Sequence, residues 1–205
     1  MSPLGLALAV SILYFLGAHL GLALLTQPDG VAVFWPAAGI SAGMLVAFGP
    51  QARWPVAVGV MVATILANLL SDRNLGATLV FVLCNAGETI LFAWLINQHF
   101  GSRFSLGSVR NVVGLFGAAA VASAVSGIGG TMGFLLFHHS GTPFLTTWLS
   151  WFASAALGLV TVSPLIIELA NSRHDRPTKL EVAEGLLLLA VLASMSAAWP
   201  FSPCR

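Results

Sequence analysis

The stretch that decides the fold covers residues 34–68 and reads FWPAAGISAGMLVAFGPQARWPVAVGVMVATILAN. It consists of two apolar segments joined by a short turn at Gly49-Pro50, and a Trp-Pro pair stands near the start of each segment. Arg53 is the only charged residue in the whole stretch. Apolar runs of this length with so little charge are typical of membrane-spanning helices. The stretch therefore predicts a pair of helices inside a lipid bilayer, with the rest of the chain packed around them.

The composition of the whole chain supports this interpretation. Of the 205 residues, 58% are hydrophobic and only 7% are charged, and the mean hydropathy is +0.93. Soluble domains carry about 25% charged residues, so a soluble globular fold is excluded. The net charge of +1 gives no indication of a nucleic-acid partner. The prediction is an all-α, polytopic transmembrane bundle that forms one integral-membrane domain over residues 1–205.

Hydropathy and turn residues divide the chain into about seven spans of roughly 20 residues, the length that crosses the hydrocarbon core. A loop over residues 97–110 is predicted between the fourth and fifth spans. The fifth span contains Gly129 and Gly133, which are four residues apart and predict a close-packing surface. The predicted spans cover residues 4–25, 31–48, 54–70, 75–96, 111–137, 144–169 and 182–199.

The basic residues predict the orientation, because cytoplasmic loops are enriched in Lys and Arg. With a cytoplasmic N-terminus, six of the eight basic residues fall on the cytoplasmic side and two, Arg73 and Arg205, on the other. We therefore expect a multi-pass protein of a bacterial inner (plasma) membrane. Seven spans would leave the C-terminus outside, so we expect an eighth span that this chain lacks. The alternatives are a true seven-span protein or a misjudged sixth or seventh segment.

Glu88 is the strongest candidate for a functional residue, because it lies near the middle of the fourth span. A charge at the bilayer centre costs at least about 2.5 kcal/mol and must face the bundle interior, a partner or a water-filled cavity. Asn85 is three residues earlier, so both side chains are predicted on one helical face. The alternative is that a protonated Glu88 only makes a polar contact between helices.

Two further polar residues lie in or at the end of spans. Asn68 ends the third span, where an interfacial helix cap is the favoured interpretation and a ligand-binding role the alternative. His19 lies in the first span, where it either pairs with Glu88 or remains a neutral, singly hydrogen-bonded histidine, which we favour. No catalytic motif and no metal-ligand spacing stands out, so the sequence predicts no enzyme, no cofactor and no metal site.

Four short motifs in sequence resemble a known family, the bacterial membrane-associated sensor domain of the first class described under the MASE name. Residues 34–39 look like its W-P-x-x-G signature, and Gly49 with the following Arg53-Trp54-Pro55 looks like its G-x-R-x-W-P block. Asn68 falls where that block has a downstream Asn. Asn85 and Glu88 match its N-x-x-E, and residues 148–165 look like its W-x-x-W...G...P-L block. The resemblance covers about residues 10–170.

This resemblance implies a sensory module of about eight helices, usually placed before a cytoplasmic histidine kinase, GGDEF or EAL domain, as in two-component and cyclic-di-GMP signalling. It also implies that Glu88, Asn85, Asn68, Trp35 and Arg53 shape a responsive site. The chain departs from the family in two ways. We expect the eighth helix and the output domain to be missing from it, and Ser154 stands where an Asp is common.

The prediction is therefore a module that relays an unknown stimulus to a cytoplasmic output domain, with the lipid bilayer as its surroundings. The first alternative is a small transporter or substrate-binding membrane subunit, in which the Glu88 face and the proline-broken helices line a path. The second is a scaffold or non-functional fragment. The sequence leaves the stimulus, the output partner and the oligomeric state open, a homo-oligomer included.

Overall fold

A computed structural model describes residues 2–23, 32–71, 73–101, 104–138 and 141–171. By internal contacts the chain divides into two compact units, residues 1–170 and 171–205. The described residues are mainly helical, and the predicted seventh span over residues 182–199 lies outside them. The described helices are α1 (Pro3–Ala23), α2 (Pro36–Phe48), α3 (Arg53–Leu69), α4 (Leu75–Phe100), α5 (Val109–His138) and α6 (Phe144–Asn171), with a single 3-10 turn, Pro50–Ala52, between α2 and α3.

Five of these helices are long and apolar enough to cross a membrane, and α2 is the exception. The predicted second span over residues 31–48 is therefore wrong as a full helix. α2 has 13 residues, which gives a length of about 20 Å against a hydrocarbon core of about 30 Å. Pro36 occupies the start of the helix, where its missing N–H costs nothing. The preceding Trp35 is not helical (φ −118°, ψ 75°).

The non-helical residue Trp35 is held by α6. Its backbone N–H donates to the carbonyl oxygen of Ser154 at 3.2 Å. Non-helical backbone is tolerated at membrane depth only where protein or water satisfies its polar groups. The second segment thus combines a short extended piece with a short helix, and α6 supplies a hydrogen bond that a continuous helix would have made internally.

The predicted loop over residues 97–110 is shorter than expected, because α4 continues to Phe100 and α5 begins at Val109. Gly101 ends α4 with a backbone φ of +80°, a conformation that favours glycine. The Phe100 ring packs edge-on against Phe104, with centroids 5.6 Å apart. This aromatic contact packs the end of α4 against the connection to α5.

Glycines set the closest helix contacts. A Cβ built on Gly39 of α2 would overlap the carbonyl oxygen of Gly158 in α6. In α5, a Cβ on Gly129 would lie 2.7 Å from Cys84 Sγ, and one on Gly133 would lie 2.7 Å from Val80 Cγ1. The prediction of a close-packing surface at Gly129 and Gly133 is therefore confirmed, and its partner is α4.

The outer surface of the bundle is apolar, whereas many polar side chains of the spans point inward. Leu83 is 67% exposed and Leu136 is 66% exposed, while Ser41, Thr64 and Thr78 have no exposed surface. Several helices expose large leucine side chains in this way. Large apolar surface patches are rare in water-soluble proteins and mark contacts with a membrane or a partner. This arrangement fits a bundle whose outer faces contact lipid tails.

Candidate functional site

A small pocket at one end of the bundle brings together three of the six residues singled out from the sequence. Trp35, Asn68 and Asn85 all line it, and we call it the Arg73 pocket after its charged residue. The cavity volume is about 50 Å³, which exceeds the roughly 10–15 Å³ that a cavity needs to hold a water molecule. Its full lining is Leu22, Ala32, Trp35, Asn68, Arg73, Phe81, Asn85, Phe134, Trp151, Ser154 and Ala155.

Thr64 of α3 ties the two asparagines of the pocket together. The Asn85 side-chain amide donates to Thr64 Oγ1 at 3.4 Å, and the Asn68 amide donates to the Thr64 carbonyl oxygen at 2.8 Å. Both asparagines are about 95% buried. Asn68 is thus buried rather than exposed at the interface, and the residue that caps the end of α3 is Leu70. Buried amides with fixed donors keep their side-chain oxygens as acceptors for a group in the cavity.

Trp35 connects the pocket to α1. Its indole N–H donates to the Tyr14 hydroxyl at 3.3 Å, and Tyr14 itself is 1% exposed. A Cβ on Gly21 of α1 would lie 2.7 Å from the Trp35 ring, so the indole packs directly on the α1 backbone. The position of Trp35 therefore depends on α1, α2 and α6 together, and a change in the pocket would be felt by all three helices.

Arg73 is the only charged residue among the described residues that line this pocket. Its guanidinium lies over the Phe81 ring at 5.9 Å from the centroid, and its backbone N–H donates to the Asn68 carbonyl oxygen at 3.0 Å. Burial lowers the pKa of Arg73, but an arginine side chain stays charged at physiological pH. Ser154, which stands where the resemblance implies an Asp, lines the same pocket.

Glu88 lies outside the Arg73 pocket, although it is only 3% exposed. It lines a separate crevice between α4 and α5. The Ser123 hydroxyl of α5 faces it, but neither Glu88 Oε1 nor Ser123 Oγ has a hydrogen-bond partner of acceptable geometry among the described residues. The prediction that Glu88 faces the bundle interior agrees with this burial, whereas Asn85 and Glu88 line two different cavities.

The other two sequence candidates are elsewhere. Arg53 lies at the opposite end of the bundle, exposed, with its guanidinium 5.8 Å from the Trp54 ring centroid. It lines a second cavity together with Asn97 and Gly101, which we call the Arg53 cavity. His19 is on the exposed face of α1 and stacks on Phe15 at 6.0 Å between ring centroids. A pairing of His19 with Glu88 across the bundle is therefore wrong.

Sequence reasoning missed several members of the site. Arg73 was counted only as a basic residue on the non-cytoplasmic side, and Tyr14 and Thr64 were not singled out. The signal that was missed is an arginine shortly after Asn68, the asparagine of a family motif. Another buried polar contact joins α2 to α4, where the hydroxyl oxygens of Ser41 and Thr89 are 2.7 Å apart. The sequence around a single Ser or Thr in an apolar helix does not show which residue its hydroxyl group will contact.

Fold and site together define a multi-pass helical membrane protein with a small pocket at one end, mostly apolar but lined by one arginine and two asparagines. Comparison with known families gives a direct result: the MASE1 model matches residues 6–202. The chain therefore belongs to the MASE1 family of membrane-associated sensor domains. No curated protein and no solved structure shows significant similarity to it.

Proposed function

We propose that this chain is a non-catalytic sensory module of a bacterial inner membrane, with its N-terminus in the cytoplasm and the Arg73 pocket on the outer side. A small polar solute or ion entering that pocket biases the packing of the bundle. A cytoplasmic histidine kinase or a cyclic-di-nucleotide output domain reads the change, in the manner of two-component or cyclic-di-GMP signalling. Membership of the MASE1 family supports the sensory part of this proposal.

The observation that carries the proposal is the convergence of Trp35, Asn68 and Asn85 on one pocket. These residues come from the start of α2 and from α3 and α4, and Ser154 adds α6. A ligand that contacts four elements at once changes their relative packing, and such a ligand shifts a conformational equilibrium by its difference in affinity for the two states. A ligand bound to a single helix would not change the packing of helices against each other in this way.

The distribution of basic residues between the two ends of the bundle supports the proposed orientation. Arg53, from the α2–α3 turn, and Gly101, at the end of α4, line the Arg53 cavity together, so the two connections lie at one end. Arg53 and Arg110 then share that end, and basic residues favour the cytoplasmic side. The Arg73 pocket is at the other end and faces the outside of the cell.

A transporter remains the competing function, but the cavities favour it less. Among the described residues, no residue lines both the Arg73 pocket and the Arg53 cavity. A translocation path needs access from both sides to one site, whereas these cavities have separate linings.

The test is a fusion of the full chain to a reporter histidine kinase, with output measured across the growth conditions to which the wild type responds. Asn85→Ala removes a pocket amide and its bond to Thr64, and we expect it to abolish or shift the response. Asn97→Ala is the matched control, because it makes the same change on the same helix at the Arg53 cavity.

Loss of response in Asn85→Ala and Asn68→Ala with a normal response in Asn97→Ala supports the proposal. Equal responses in all three variants and the wild type would show that the pocket only holds helices together. Membrane insertion of each variant is checked by the amount of full-length fusion in the membrane fraction.

A further inference from the structure

The crevice between α4 and α5 is a second site with its own chemistry. It has a cavity volume of about 280 Å³. Its residues are Leu83, Cys84, Gly87, Glu88 and Leu91 of α4, with Ala122, Val125 and Ser126 of α5. It shares no lining residue with the Arg73 pocket.

The crevice opens toward lipid. Leu83 and Val125 at its edges are 67% and 54% exposed, as expected for side chains on the outer faces of α4 and α5. Gly87 leaves a gap between them, since a Cβ built there meets nothing within 4 Å. Glu88 is the fourteenth residue of the 26-residue helix α4, so the opening is near the middle of the bilayer. A molecule that enters here comes from the hydrocarbon phase.

The floor of the crevice is polar and incompletely satisfied. Glu88 Oε1 lies at this floor and faces the Ser123 hydroxyl, which is not itself part of the lining. Neither atom makes a hydrogen bond of acceptable geometry among the described residues. Buried polar groups are normally hydrogen-bonded, so a buried polar atom without a hydrogen bond indicates a missing partner such as a water molecule or a ligand. The terminal torsion of a glutamate is broad, so the carboxyl group turns toward the crevice at little cost.

Ser126 supplies a further donor at the same place. Its hydroxyl oxygen accepts a hydrogen bond from the Trp151 indole N–H at 3.3 Å, which leaves the hydroxyl proton free to be donated. The floor thus offers the Glu88 carboxyl oxygen, which accepts, and the Ser126 hydroxyl, which donates. A hydroxyl group is the small ligand head that donates and accepts at once, whereas an ammonium only donates and an ether only accepts.

We propose that the α4–α5 crevice binds a membrane-dissolved alcohol or phenol, with its hydroxyl group on Glu88 and Ser126 and its apolar tail along Leu83 and Val125. This inference goes beyond the proposed sensing of a polar solute, because the ligand class and the route of entry differ. It stands whether or not the Arg73 pocket receives a stimulus.

The experiment uses the purified full chain in phosphatidylethanolamine–phosphatidylglycerol vesicles and a photoactivatable twelve-carbon alcohol, with labelled residues located by mass spectrometry. The matched probe is the methyl ether of the same alcohol. We expect the alcohol to label the crevice about fivefold more than the ether, the value of one hydrogen bond of about 1 kcal/mol. Glu88→Leu should lower labelling by the alcohol about fivefold, whereas Glu88→Gln, which keeps an acceptor oxygen, should retain most of it.

Gly87→Leu tests the cavity without touching the carboxyl group, because the new side chain fills the opening. Its control is Gly117→Leu on α5, where a Cβ also meets nothing within 4 Å and the residue faces outward. We expect Gly87→Leu to abolish crevice labelling and Gly117→Leu to leave it unchanged. Equal labelling by alcohol and ether, labelling spread over all lipid-facing surfaces, or full labelling of Gly87→Leu would each overturn the proposal. So would labelling that falls as protein density rises, which would assign the crevice to a second copy of the chain.

Discussion

Replacing Gly39 with alanine should disrupt the crossing of α2 and α6. A Cβ at this position would overlap the Gly158 carbonyl oxygen and lie 2.6 Å from Val162 Cβ. Carbon atoms pack best at about 3.5–4.0 Å, so α2 and α6 must separate by roughly 1 Å. The colliding atoms belong largely to the backbone and the first side-chain carbon, so no side-chain rotation relieves the contact.

The expected cost follows from two terms. Overpacking a tight contact costs about 1–3 kcal/mol, and moving α2 away weakens the bond from Trp35 N–H to Ser154 O, worth about 1 kcal/mol. We therefore expect Gly39→Ala to lower the free energy of unfolding by about 3 kcal/mol. Gly117→Ala is the control, since its Cβ meets no atom within 4 Å, and it should change stability by about 0.5 kcal/mol or less.

The assay is titration of the purified full chain with dodecyl sulfate in mixed micelles, followed by far-ultraviolet circular dichroism. Gly158→Ala should cost as much as Gly39→Ala, because its Cβ would overlap the Trp35 carbonyl oxygen. One separation of α2 from α6 would relieve the steric overlap of both substitutions. The double variant should therefore lose less stability than the two single variants added together, with a coupling energy of about 2 kcal/mol. If Gly39→Ala and Gly117→Ala unfold at the same dodecyl sulfate concentration, the close approach of α2 to α6 is refuted.

Three further changes test local contacts. Asn74 caps α4, where its Oδ1 accepts from Gly76 N at 2.7 Å, so Asn74→Ala should cost about 1 kcal/mol and Asn74→Asp much less in the same titration; equal losses would exclude the cap. Ser41→Ala and Thr89→Val should show a coupling energy of about 0.6 kcal/mol in a double-mutant cycle, and strict additivity would contradict the 2.7 Å contact between their hydroxyl oxygens. His19→Leu should leave stability and reporter output unchanged, because His19 faces outward; a loss of output would restore it to the candidate site.

Hydropathy predicted most helices well, but it could not predict the start of α2. The residues before Pro36 are as apolar as those after it, and apolar content does not distinguish an extended segment from a helix. The missed signal was the proline itself, which favours the first turn of a helix. What holds Trp35 in place is Ser154, more than a hundred residues later in the chain, and no local pattern shows such a contact.

The candidate site was predictable only in part. The order of the motifs indicated that Trp35, Asn68 and Asn85 belong together, and they do line one pocket. The three-residue spacing of Asn85 and Glu88 places them about 60° apart around the helix axis. With α3 on one side of α4 and α5 on the other, this angle suffices to point Asn85 at Thr64 and Glu88 at Ser123. The spacing alone does not show which neighbour stands where.

The most direct test of the central claim uses cysteine variants in a background of Cys84→Ala and Cys204→Ser, with a membrane-impermeant maleimide added outside intact spheroplasts. The account predicts labelling of Ser71→Cys and of Ser154→Cys in the Arg73 pocket, and no labelling of Gln51→Cys beside the Arg53 cavity until the membrane is permeabilised. It also predicts that modification of Ser154→Cys, unlike that of Ser71→Cys, changes the output of the fused reporter kinase. Labelling of Gln51→Cys from outside, or a modified Ser154→Cys with unchanged output, would contradict the claim that this pocket receives an external signal.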